Sequence, residues 1–289
     1  MTNDITIAKD RGRRILELLK LHGPLSFRGL KIMIEPKMQD RRLHDAIARI
    51  HRNGLIEKRQ ERVFRGAGVF YQISQHKNSE SKLVEILKCI PSDLKQPYFR
   101  TRELMHTEAC ALWAYWLKRW YPGATIIRDY RFYAEPKARE IMLTEQNDFE
   151  LRPDILMILN RNAAGHSVSI AFEIEKSRKS LRRLQAKLTK YANETGLDGL
   201  VYLCDSDEIS EPVRRLYESR IMSTSNRIRH YGEHFFLFQN VKNIHELQNS
   251  KTFRNYLKPV SFDAWISELR RTPMNSRRDH LFSESAVRC

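Results

Sequence analysis

Apolar residues recur at helical spacing over residues 8 to 22, where Ile15, Leu16, Leu18 and Leu19 precede a His22-Gly23-Pro24 stop. The spacing predicts a helix. A short helix is expected next, capped by Ser26, running from Phe27 to Ile34 and ended by Glu35-Pro36. A third, about Gln39 to Asn53, sets Leu43, Ile47 and Ile50 on one face, with Arg41, Arg42, His44, Arg49 and Arg52 elsewhere, and ends at Asn53-Gly54. Leu55 to Arg59 and Val69 to Ile73 read as short strands joined by a hairpin tip with Arg62, Arg65, Gly66 and Gly68. The polar, aperiodic stretch His76 to Ser81 reads as a linker, and Lys82 to Ile90 as a short helix.

The second half alternates differently. A long helix from Arg102 to Tyr121 carries Trp113, Trp116 and Trp120 at core spacing, although an exposed tryptophan could stack on an unpaired base. A strand is expected at Thr125 to Phe132. Two apolar runs, residues 155 to 159 and 168 to 174, read as buried strands separated by a turn at Asn160 to Gly165. A basic amphipathic helix, Arg178 to Glu194, is expected to bury Leu181, Leu184, Leu188 and Tyr191, and a strand Gly199 to Cys204 follows. Further elements are a helix near Pro212 to Met222, a strand His234 to Phe238, and helices near Asn243 to Asn249 and Phe262 to Arg271; the polar tail, 272 to 289, is expected to be disordered.

Composition adds a partner class. Across 289 residues, Lys+Arg 51 against Asp+Glu 35 leaves a net charge of +16, which points to an anionic partner, with nucleic acid the commonest. No stretch approaches the roughly 18 consecutive apolar residues of a membrane span, and the N-terminal residues lack a secretory pattern, so a cytoplasmic protein is expected. Cys89, Cys110, Cys204 and Cys289 are scattered and read as reduced thiols.

Within this basic chain three acids stand out. Asp154 opens the first apolar strand, and Glu173 and Glu175 close the second, where alternation puts them on one face. Pairing the two strands would gather all three, an arrangement tolerated mainly when a hard divalent cation neutralises it. Asp154 could instead bond turn amides, and the two glutamates could be solvated on an edge strand. The apolar run before them argues for burial.

The three N-terminal helices and basic hairpin resemble the winged helix-turn-helix. That resemblance implies DNA contacts from Arg41, Arg42, His44 and Arg49 on the third helix and Arg62 and Arg65 on the wing. A protein-binding helical module is the other reading. The order helix, three strands, helix, strand, with Pro153-Asp154 and Glu173-Ile-Glu175, resembles the restriction-endonuclease-like nuclease fold. The expected fold class is therefore α/β (α+β overall), a winged helix (1–75), a linker and short helix (76–100), an endonuclease-like mixed-sheet domain (101–271) and a tail (272–289).

The stretch Glu173 to Tyr191 further resembles the replication-relaxation family and the MobC-type plasmid mobilisation relaxases, a likeness covering about residues 10 to 240. The family pattern falls on Asp154, Glu173, Glu175, Lys179, Arg183 and Tyr191, with His106 and Glu108 on the preceding helix. It implies that Asp154, Glu173 and Glu175 hold Mg²⁺ or Mn²⁺, and that Lys179 and Arg183 stabilise phosphate charge in a DNA-nicking relaxase. The partners would be double-stranded DNA at a plasmid origin and other mobilisation proteins. The pattern departs from the nuclease signature at Glu175, where a lysine is usual; Lys176 is expected on the opposite strand face, which leaves Lys179 as the replacement. That departure supports the alternative of a non-catalytic accessory or regulatory DNA-binding protein built on an inactive scaffold. Tyr191 is in register with its helix's apolar face and reads as core before nucleophile, and His106 as a residue lining its helix.

Overall fold

The computed structural model describes residues 2–35, 39–63, 66–97, 99–100, 103–129, 131, 151–159, 167–193, 196–221, 236–240, 252–254 and 259–271. The chain is a mixed α/β protein divided into two compact units, Met1–Tyr115 and Trp116–Cys289.

The first unit begins with α1 (Thr2–His22), β1 (Leu25–Ser26), α2 (Phe27–Ile34) and α3 (Asp40–Arg52), followed by the hairpin β2 (Ile56–Val63) and β3 (Gly66–Ile73). Helix α1 ends where Gly23 adopts φ +77 and donates its N–H to the Leu19 carbonyl at 3.0 Å, a left-handed turn that only glycine enters without cost. Ser26 caps α2 by accepting from the Gly29 N–H at 3.1 Å. On α3 the buried set Leu43, Ala46, Ile47 and Ile50 follows helical periodicity. It joins Ile15, Leu19, Leu30, Met33 and Phe70 in the core. The antiparallel sheet has the order β1-β3-β2.

Several local expectations change here. The hairpin closes between Val63 and Gly66, so Arg62, Gly66 and Gly68 are strand residues and not a tip; Arg65 lies outside the described residues. The expected linker is helical: α4 spans Lys77–Leu87. Its buried Ser79 donates its hydroxyl to the Gly54 carbonyl at 2.7 Å, a tertiary bond that offsets the poor local pattern. The following chain stays attached, through Gln96 Nε2 to the Leu19 carbonyl (2.6 Å) and Arg59 Nη1 to the Phe99 carbonyl (2.8 Å). The unit boundary falls within α5 (Leu104–Trp120).

The second unit is built on a seven-stranded sheet of β4 (Thr125–Arg128), β5 (Ile155–Leu159), β6 (Val168–Glu175), β7 (Gly199–Cys204), β8 (Phe236–Asn240), β9 (Thr252–Arg254) and β10 (Pro259–Ser261). Its order is β10-β9-β8-β7-β6-β5-β4. Strands β4, β5 and β6 are antiparallel neighbours, whereas β6, β7 and β8 are parallel. Parallel neighbours need crossovers, supplied by α6 (Leu181–Asn193) between β6 and β7 and α7 (Asp207–Leu216) between β7 and β8. Crossovers of one hand along one direction put both helices on the same face. Leu184, Leu188 and Tyr191 of α6 and Val213 and Leu216 of α7 accordingly share a core with Ala171, Leu200 and Tyr202. The opposite face receives α8 (Phe262–Arg271), where Phe262 meets Phe172 edge-on at 6.1 Å.

Leu181 departs from expectation. It is 57% exposed at the first residue of α6. The helix expected near Pro212 starts earlier, at Asp207, with Pro212 inside it. The expected strand at Thr125 shortens to residue 128, and the helix near 243–249 and the tail lie outside the described residues. No helix among the described residues is long and apolar enough to cross a membrane.

Candidate acidic site and basic helix

Register assembles the acids. Ile155 pairs with Phe172, so one further step sets Asp154 opposite Glu173. There the Asp154 Oδ2 accepts the Ile174 N–H at 2.7 Å, a bond to the neighbouring strand. Glu173 in turn pairs with Tyr202 on the parallel strand β7, and Glu175 with Cys204. Both glutamates are buried, Glu173 completely, because β6 is a central strand and α6 covers this face.

Helix α6 brings the counter-charges. Lys187 pairs with Glu173, and Tyr191, one turn on, donates its hydroxyl to the same carboxylate. Lys179, just before the helix, lies 2.5 Å from Glu175. Lys176 pairs with Asp205 at 3.5 Å, away from Glu173. Thus Asp154, Glu173, Glu175, Lys179 and Tyr191 come together, while Arg183 is exposed on α6. Two participants were not singled out from sequence. Lys187 looked like one charge of a solvated face, although its spacing from Tyr191 by four residues was a usable signal. Tyr202 gave no signal, since it looks like any strand aromatic.

Burial sets the electrostatics. It raises the Glu173 carboxyl, Lys187 opposes that rise, and neighbouring Asp154 adds to it; the outcome is a group pushed up to about 7. For Lys187, burial disfavours the charge, but Glu173, Asp154 and Glu175 more than offset it and hold the ammonium above its ordinary value. Burial, then Glu173, raise the Tyr191 hydroxyl, so it stays a donor. The Tyr202 hydroxyl is raised by burial and by Glu173 and Glu175, and it has no hydrogen-bond partner among the described residues. Burial, followed by Glu175 and Asp205, pushes the Cys204 thiol up to about 12, which leaves it an unreactive thiol. Neither Cys89 nor Cys110 forms a disulfide among the described residues.

The remaining candidates lie in the first unit. Glu108 is buried and accepts the Ser26 N–H at 2.7 Å, at the start of α2, where a negative charge is favoured. His106 is half-buried, with Nδ1 3.7 Å from the Cys110 sulfur. On α3, Arg41, Arg42 and His44 are exposed and Arg49 is half-buried. His44 stacks on Phe27 of α2 at 4.0 Å, which pins one edge of this basic surface. Arg62 is a β2 residue whose side chain is not described. Comparison with known protein families, curated proteins and solved structures finds no match to the chain.

Proposed function

We propose that the protein binds double-stranded DNA through its first unit and nicks a phosphodiester at the acidic site of its second, as a metal-dependent relaxase acting at a plasmid origin. The observation carrying this reading is the register that sets Asp154, just before β5, opposite Glu173 of β6, two residues from Glu175, with Lys187 paired to Glu173 and Lys179 to Glu175. The strand directions support an endonuclease-like arrangement: antiparallel, antiparallel, then parallel after an intervening helix. In the first unit, the order α1-β1-α2-α3-β2-β3 supports a winged helix. Its exposed Arg41, Arg42 and His44 suit a groove-facing helix, and the net charge of +16 suits phosphate.

The reading takes Mg²⁺ or Mn²⁺ as the ion because the donors are carboxylates. Three carboxylates offer hard oxygen ligands, and the unpartnered Tyr202 hydroxyl beside them leaves one polar group for a bound water. A cation held by Asp154, Glu173 and Glu175 would supply Lewis-acid stabilisation of phosphate charge and a water of lowered pKa. Tyr191 orients Glu173, and Lys179 and Lys187 bring positive charge to the developing oxyanion.

The test is nicking of a supercoiled plasmid carrying the cognate origin. Relaxation is expected only with added Mg²⁺ or Mn²⁺ and is lost in Asp154→Asn and Glu173→Ala. Full nicking by Glu173→Ala would overturn the catalytic reading. Arg41→Ala with Arg42→Ala is expected to weaken DNA binding and flatten its salt dependence.

A second reading, a non-catalytic DNA-binding accessory, is favoured by one observation. Lys187 and Tyr191 already engage Glu173, and Lys179 engages Glu175, so the acids are internally neutralised. Absence of Mn²⁺ uptake in calorimetry would select this reading.

A further inference from the structure

The second reading treats the lysine contacts as a permanent end state. Their geometry supports a different role, which rests on the metal-site reading above. Lys187 pairs with Glu173 and its charge is favoured by Glu173, Asp154 and Glu175, whereas Lys179 pairs with Glu175. The Lys187 partner Glu173 is completely buried and lies on β6 between Asp154, which immediately precedes β5, and Tyr202 of β7. A cation ligated there needs the electrostatic position Lys187 now fills. Two positive charges sharing one buried carboxylate repel strongly, so both cannot stay.

We propose that Lys187 is the resident counter-ion of the acidic site, and that a divalent cation binds by displacing its ammonium from Glu173. Two features make the exchange feasible. The Lys187 side chain is 31% exposed, so its flexible stem reaches water without unfolding α6. Tyr191 keeps its own bond to Glu173, so the carboxylate stays oriented when the lysine leaves. The completely buried Tyr202 hydroxyl, without a hydrogen-bond partner among the described residues, is the independent sign that the site is made for something beyond its present side-chain contacts. Lys187 therefore tunes metal affinity downward, and the released ammonium remains on α6 beside the bound cation, available to an anionic substrate.

The test uses the full chain and Mn²⁺ alone. In calorimetry, Lys187→Met is expected to bind Mn²⁺ at least about tenfold more tightly than wild type, since a competing like charge at short range is removed. Lys179→Met is expected to change affinity less than about threefold. Adding Asp154→Asn to Lys187→Met is expected to abolish the gain. A wild-type measurement stands independently of whether the variant folds: acylation of Lys187, followed by mass spectrometry, is expected to speed up severalfold at saturating Mn²⁺, with exposed Lys82 unchanged. Metal binding by wild type with equal or weaker binding by Lys187→Met, or an unchanged Lys187 acylation rate, would overturn the displacement while leaving the metal site standing. Absence of binding in both proteins would overturn the metal reading and this inference with it.

Discussion

Glu173 and Tyr202 stand side by side on parallel strands, both completely buried, yet among the described residues the Glu173 carboxylate is hydrogen-bonded and the Tyr202 hydroxyl is not. An unsatisfied buried hydroxyl costs on the order of 1–3 kcal/mol. Tyr202→Phe is therefore expected to stabilise the metal-free protein by about 1 kcal/mol, measured as a raised urea midpoint at constant slope. A clear loss of stability would mean the hydroxyl has a partner in solution.

Glu173 also makes stability depend on pH in an unusual direction. Burial, outweighing Lys187, lifts its carboxyl from 4.5 in the unfolded chain to about 7. A raised pKa contributes stability that is fully present below pH 4.5 and is lost as pH rises through about 7. Other carboxylates titrate in the same experiment, so the difference from Glu173→Gln isolates the effect. Relative to wild type, the variant is expected to gain on the order of 3 kcal/mol between acid and mildly alkaline pH. A flat difference across that window would rule out the shift.

Gly29 and Glu108 are expected to be energetically coupled. A Cβ at Gly29 would lie 2.3 Å from the Glu108 Oε1, the same oxygen that accepts the Ser26 N–H. Gly29→Ala should therefore cost about 1–3 kcal/mol by displacing that carboxylate. With Glu108→Ala already present, the same change is expected to be neutral or to stabilise α2 by up to about 1 kcal/mol, because alanine outranks glycine in a helix. A double-mutant cycle measures this reversal, and additivity would refute it.

At Gly199 the obstacle is an aromatic ring. An added Cβ would meet Trp265 at 2.5 and 2.8 Å and Leu269 at 3.1 Å, so the Trp265 ring, or α8 with it, must shift from β7. Gly199→Ala is expected to cost about 1–3 kcal/mol by overpacking, with part of it recovered by Trp265→Phe. Urea unfolding of the three variants checks both statements; equal costs with and without the tryptophan would contradict the contact.

Elements with strong local signals were legible. The strand at Gly199 to Cys204 matches residue for residue, and both acidic strands were visible as apolar runs because they are buried on both faces. Helix α3 was marked by its period and its Asn53-Gly54 stop, and Gly54 does take φ +71. Three-residue strands such as β9 and β10 carry too few positions for any period to show. Helix α4 was missed at its start because its polar first turn is held by Ser79 bonding Gly54, a distant carbonyl.

The acidic site divides the same way. By itself the sequence determined that Glu173 and Glu175 share a strand face, that Asp154 opens the neighbouring strand, and that Lys187 and Tyr191 share a helix face, since these follow from periods of 2 and 3.6. Which lysine meets which acid was decided by tertiary structure alone. The crossover from β6 to β7 lays α6 over the strand ends, directing Lys187 and Tyr191 at Glu173 and leaving Lys179 to Glu175. Tyr202 joins the site only through parallel pairing across that crossover. No local spacing encodes either contact, because each depends on where the helix returns in space.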